Sequence, residues 1–288
     1  MKNKQRTSIR LLDNRTFLLY FTYVISFLLL FGLRFLYSGA ASEHTYAVML
    51  AAMLLALYLP VLFFLQSEGG KGADIGLGKL RKRYALPFFL FLIGSFFMGA
   101  AGATLYSLFH KSLSVYGVGF PESFSGVYLL LFVLVPSFGE EFLCRGLLQT
   151  RLAGGGVLIS VFCSAWLSAA FCLDIALLPF YFLAGVILAV ARNFFCSFLS
   201  SFACAVCLRL GLYFSRLDLW SFLGEAWGGA LGASVFGFVF LSFVGLALWL
   251  VFKRRPKREA AREEDCTRTI VAVSVAALLL SVGGAFLL

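Results

Sequence analysis

The chain of 288 residues is 61% hydrophobic and 13% charged, with a mean hydropathy of +0.94. Soluble domains carry about a quarter charged residues, so a water-soluble domain, a disordered chain, a coiled coil and a disulfide-stapled secreted scaffold are all excluded, and a polytopic membrane protein remains. The formal charge of +10, from 24 basic and 14 acidic residues, belongs to loops. No compact soluble domain exists to carry a nucleic-acid patch, and membrane lipid is the expected contact.

In chain order, Lys2, Lys4, Arg6, Arg10 and Arg15 precede an apolar stretch from about Phe17 to Tyr37. It is too long for the core of a cleavable signal and lacks a cleavage site, which predicts a retained first span. Apolar runs predict nine helices in all: 16–37, 46–66, 84–107, 124–149, 156–173, 175–191, 194–214, 228–252 and 269–287. The fifth and sixth are separated by little more than Asp174. Eight spans result if the last run is re-entrant or interfacial.

The fold class is therefore all-α, a polytopic transmembrane helical bundle of eight or nine spans. It is organised as three N-terminal spans (1–123), a membrane core (124–215) and C-terminal spans (216–288). With the N-terminus in the cytoplasm, the basic loops around Lys71–Arg83, Arg151, Arg192 and Lys253–Arg268 share the cytoplasmic side, as the positive-inside bias requires. The expected location is a bacterial inner membrane.

Six of the seven cysteines (Cys144, Cys163, Cys172, Cys196, Cys204 and Cys207) lie in apolar stretches, and Cys266 does not. The odd count and the absence of a bracketed CxxC argue for small packed hydrophobes rather than disulfides. Prolines 60, 87, 136 and 179 fall within or near spans, where membrane helices tolerate them.

One stretch breaks the apolar rule: Pro136-Ser-Phe-Gly-Glu140-Glu141-Phe-Leu-Cys-Arg145-Gly146. Ionisable groups at membrane depth are costly and mark function. Glu141 and Arg145 are four apart on one helix face and can pair. Glu140 points about 100° away, which leaves its carboxylate open to act as a base. Gly139 and Gly146 permit close helix packing. The competing reading places both glutamates at the lipid interface as an ordinary helix end.

The run Glu140-Glu141-Phe-Leu-Cys-Arg145-Gly146-Leu-Leu-Gln149, followed by Phe182-Leu183-Ala184-Gly185, resembles the EExxxR motif and "FLAG" segment of the CAAX-processing and bacteriocin-processing (CPBP) family of intramembrane proteases. The resemblance covers roughly residues 124–210. It implies peptide-bond hydrolysis of membrane-associated protein or peptide substrates, with Glu140, Glu141 and Arg145 as catalytic residues and a glutamate-activated water. It also implies histidines on two later helices that hold a metal or stabilise an oxyanion. This chain departs there. Its two histidines, His44 and His110, lie outside those helices. The family's second motif would fall near Ser168–Cys172 with Cys172 at the histidine, and the third near Cys204–Leu208 with Cys204 at the histidine. Cys172 and Cys204 are thus the candidate ligands of a divalent metal such as zinc, with plain packing as the alternative for both.

Arg192 and Asn193 read as a topology anchor. Arg209 either reaches the outer interface or approaches the glutamates. Gly154-Gly155-Gly156 lacks the Lys and Ser/Thr of a phosphate loop and reads as a turn. Three functions follow: an active protease-like enzyme, a degenerate relative that binds or regulates without hydrolysis, and a transporter. The last has least support, because no internal repeat and no second charged helix are apparent.

Overall fold

The computed structural model describes residues 14–37, 43–67, 85–108, 114–115, 118–119, 126–153, 156–174 and 176–216. Within them lie seven apolar helices: α1 (Asn14–Tyr37), α2 (Glu43–Ser67), α3 (Ala85–Leu108), α4 (Gly126–Leu152), α5 (Val157–Ala170), α6 (Leu178–Phe195) and α7 (Phe198–Arg216). α1, α3, α4, α6 and α7 are long and apolar enough to cross a membrane. The chain is an all-α, polytopic membrane protein. Of the eight or nine expected spans, these five qualify among the described residues. α2, a helix of 25 residues, contributes the apolar stretch Ala52–Gln66, and α5 has only 14 residues, about 21 Å at ~1.5 Å per residue. α5 is shorter than its apolar run because the backbone turns over residues 171–174, where Leu173 takes a left-handed φ of 54°. The expected spans 228–252 and 269–287 lie outside the described residues. A small antiparallel pairing, β1 (Ser114–Val115) with β2 (Val118–Gly119), interrupts the helical pattern between α3 and α4.

α4 is the central element, in contact with α1, α2, α5 and α7. It is one continuous helix with two stretches of wide, π-type winding, Leu129–Leu134 and Phe142–Leu148. The first ends just before Pro136. Proline has no N–H to donate and its ring crowds the carbonyl of residue 132, so the winding there opens. The second contains Arg145 and Gly146, and π turns of this kind often accompany functional sites.

Small residues set the other crossings. A Cβ on Gly99 of α3 would collide with the Leu208 carbonyl of α7, and one on Gly211 of α7 with the Phe96 carbonyl of α3. These two backbones therefore touch. α5 and α6 form a hairpin in which Gly185 lies against Ala165 and Ser168. Phe63, Phe89 and Leu90 turn outward, as expected where lipid is the solvent.

Candidate functional site

The charged segment of α4 is interior, not interfacial. Glu141 and Arg145 are 1% and 0% exposed, so the helix-end reading does not hold. Glu141 Oε1 and Arg145 Nη1 lie 3.1 Å apart, as their i,i+4 spacing implies. Arg145 Nη2 also donates to the Gly185 carbonyl at 3.0 Å. One turn on, Gln149 Nε2 donates to the Ala189 carbonyl at 3.0 Å. Arg192 Nη2 then reaches back to Thr150 Oγ1 at 2.6 Å. Three polar rungs thus fasten α4 to α6. The mixed winding helps to build them: an α-helix advances the fourth residue by about 40° around the axis, and a wider turn takes some of that drift back, so Glu141, Arg145 and Gln149 stay nearly in line.

The Phe182–Gly185 segment acquires a physical meaning here. Gly185 lets α5 approach, since a Cβ would sit 2.9 Å from Ala165 Cα and 3.0 Å from Ser168 Oγ, and its carbonyl receives Arg145. Arg192, expected as a topology anchor, forms the third rung.

Glu140 is not open. Arg209 Nη2 of α7 donates to Glu140 Oε1 at 2.7 Å, with side-chain exposures of 6% for the arginine and 15% for the glutamate. A carboxylate at this depth needs a counter-charge, and α7 supplies it from 69 positions away. The sequence left Arg209 between the outer interface and the glutamates; the structure puts it on Glu140. Ser201, two helical turns before Arg209 on the same face, lies beside the Glu141 carboxyl and donates to the Phe198 carbonyl at 2.9 Å. Ser201 and Arg209 are thus positions of α7 that meet the two carboxylates, and Cys204 between them lies close enough to feel the charge of Glu141. Tyr181 and Tyr23 line the same region, close enough to feel the charge of Glu140, and the Tyr23 hydroxyl donates to the Leu167 carbonyl at 2.8 Å.

The donors among the described residues do not by themselves make up a metal site. Among the described residues no three His, Cys, Asp or Glu side chains gather, whereas zinc takes about four ligands. Cys172 lies beyond the end of α5 with its Sγ 3.0 Å from the Asp174 carbonyl, and Cys204 packs beside Ser95 of α3. Both carboxylates already face guanidinium groups. The side chain of His44, at the start of α2, and the whole of His110 lie outside what is described.

Fold and centre together define a polytopic helical membrane protein with two interior carboxylates, each matched to an arginine. Residues 122–211 match the family described as type II CAAX prenyl endopeptidase Rce1-like. The matched stretch takes in about a third of the chain: all of α4, α5 and α6, and α7 as far as residue 211. Neither the curated proteins nor the solved structures yield a match.

Proposed function

We propose that this chain is a CAAX-protease-like membrane protein that holds membrane-associated peptide segments without hydrolysing them. The observation that carries this reading is the Glu140–Arg209 pair at 2.7 Å. A base must offer a lone pair to a water proton. A guanidinium at hydrogen-bond distance stabilises the carboxylate anion and weakens it as a proton acceptor. The sequence points the same way, with only two histidines in 288 residues and neither on the helices where the family resemblance asks for them. The match over residues 122–211 supports the peptide-holding part.

The test uses full-length protein in detergent and in proteoliposomes, with prenylated and unprenylated membrane-proximal peptides. Cleavage is read by mass spectrometry and binding by fluorescence anisotropy. The expected result is binding without cleavage, with binding preserved in Cys172→Ala and Cys204→Ala. Cleavage that is lost in both Glu140→Gln and Arg209→Gln overturns it. That outcome establishes a second reading, in which Glu140 is the base and Arg209 a donor to the oxyanion. The second reading is favoured by one observation: Glu140, at 15%, is the most exposed of the four charged side chains.

A further inference from the structure

Ser137, Glu141, Arg145 and Gln149 occupy every fourth position of α4, and all are 0–1% exposed. Each keeps one polar atom without a protein partner among the described residues: Ser137 Oγ, Glu141 Oε2, Arg145 Nε and Gln149 Oε1. Ser201 stands within hydrogen-bond reach of the Glu141 carboxyl and donates to the Phe198 carbonyl, and Glu141 Oε2 still has no partner among the described residues. Buried polar groups are almost always satisfied, by protein or by water, and the demand is stronger where lipid surrounds the protein. Four unmet atoms scattered through a core would each need a separate explanation. Four on one face form a line of alternating acceptors and donors at most about 18 Å long at ~1.5 Å per residue.

Gly185, Ala189 and Ser201 are the residues of the neighbouring helices that face this line. At the Gln149 end, Thr150, Arg192 and Asn193 are half-buried and Arg151 is exposed, so the line runs out to a polar, accessible rim. At the other end it stops at Ser137, beneath the outward-facing Leu134.

We infer that this face of α4 holds a file of ordered water that joins the buried Glu141 carboxyl to the aqueous phase at the Arg151 end of the helix. Water suits the site because one molecule both donates and accepts. It can serve Oγ, Oε2 and Oε1 as donor and Nε as acceptor, and buried waters make about three such bonds. The file allows Glu141 to exchange protons with solvent while remaining locked to Arg145. It does not depend on whether the protein cleaves peptides.

The experiment is water-edited solid-state NMR on full-length, isotope-labelled protein in liposomes, which reads the transfer of magnetisation from mobile water to individual side-chain carbons. Transfer to Glu141 Cδ, Arg145 Cζ and Gln149 Cδ is expected several-fold faster than to Ser95 and Ser164. Those two serines are equally buried, and their hydroxyls are satisfied by backbone carbonyls. Gln149→Leu, which closes the line at its accessible end, should slow transfer to Glu141 Cδ towards the Ser95 rate. Wild-type rates at Glu141 and Gln149 no faster than at Ser95 overturn the file without any variant. A wild-type signal unchanged by Gln149→Leu overturns its opening at the Arg151 end. Peptide binding measured on the same samples keeps the two proposals separate, since a dry α4 face with binding intact removes only the file.

Discussion

Arg145 is the most constrained side chain of the centre. Its guanidinium is fully enclosed and holds both a carboxylate on its own helix and a carbonyl on α6. Removing one member of a buried pair leaves an uncompensated charge, at a cost of about 3–5 kcal/mol. Arg145→Met should therefore lower the thermal midpoint of the detergent-solubilised protein sharply. The double variant Glu141→Gln/Arg145→Met should recover a large part of the loss, because no lone charge remains; a double variant as unstable as Arg145→Met alone would show that the Gly185 contact, not charge balance, dominates. Arg209→Gln should cost less than Arg145→Met in the same measurement, since its partner Glu140 keeps 15% of its side-chain surface. The Glu141–Arg145 pair was legible in the sequence because it is a local, i,i+4 relation. Arg209 was not, because 69 residues separate it from Glu140 and a helical period alone does not say which face of α7 turns toward α4.

At the level of helices, close approach and tight turns decide the arrangement. Gly99 and Gly211 bring the α3 and α7 backbones into contact, and any larger side chain must push the pair apart. Gly211→Val should reduce the fraction of monodisperse protein on size exclusion, whereas Gly32→Ala in α1, where an added Cβ meets nothing within 4 Å, should leave it unchanged. Cys196 closes α6 in the left-handed region at φ 53°, which allows α7 to begin at Phe198 after a single further residue. That conformation costs a non-glycine residue about 1–2 kcal/mol. Cys196 is exposed, so Cys196→Gly sacrifices little packing and should raise the thermal midpoint. The apolar runs located all seven described helices, yet their lengths misled at α5: hydropathy continues through Phe171-Cys172-Leu173, while the backbone turns there.

For the molecule as a whole, the α5–α6 hairpin requires that the end of α4 and the start of α7 emerge on the same face. In a version whose only cysteine is Cys196, and in a second whose only cysteine replaces Arg151, a membrane-impermeant maleimide should label both from one side of the vesicle; labelling from opposite sides would break the hairpin.

The wide turns of α4 also bear on how such a protein changes over time. A π-type turn closes its hydrogen bonds one residue later than an α-turn, so each of the two stretches carries a surplus residue. Losing one residue from Leu129–Leu134 would let the helix tighten to α winding rather than break, and because the wide turn absorbs that residue within about one full rotation, the parts on either side would keep the faces they present. Losing one from Phe142–Leu148 would likewise leave the carboxylates and Gln149 nearly in line. α4 thus holds two built-in points at which a single residue can be lost while the helix still spans the bilayer and its glutamates keep their aim.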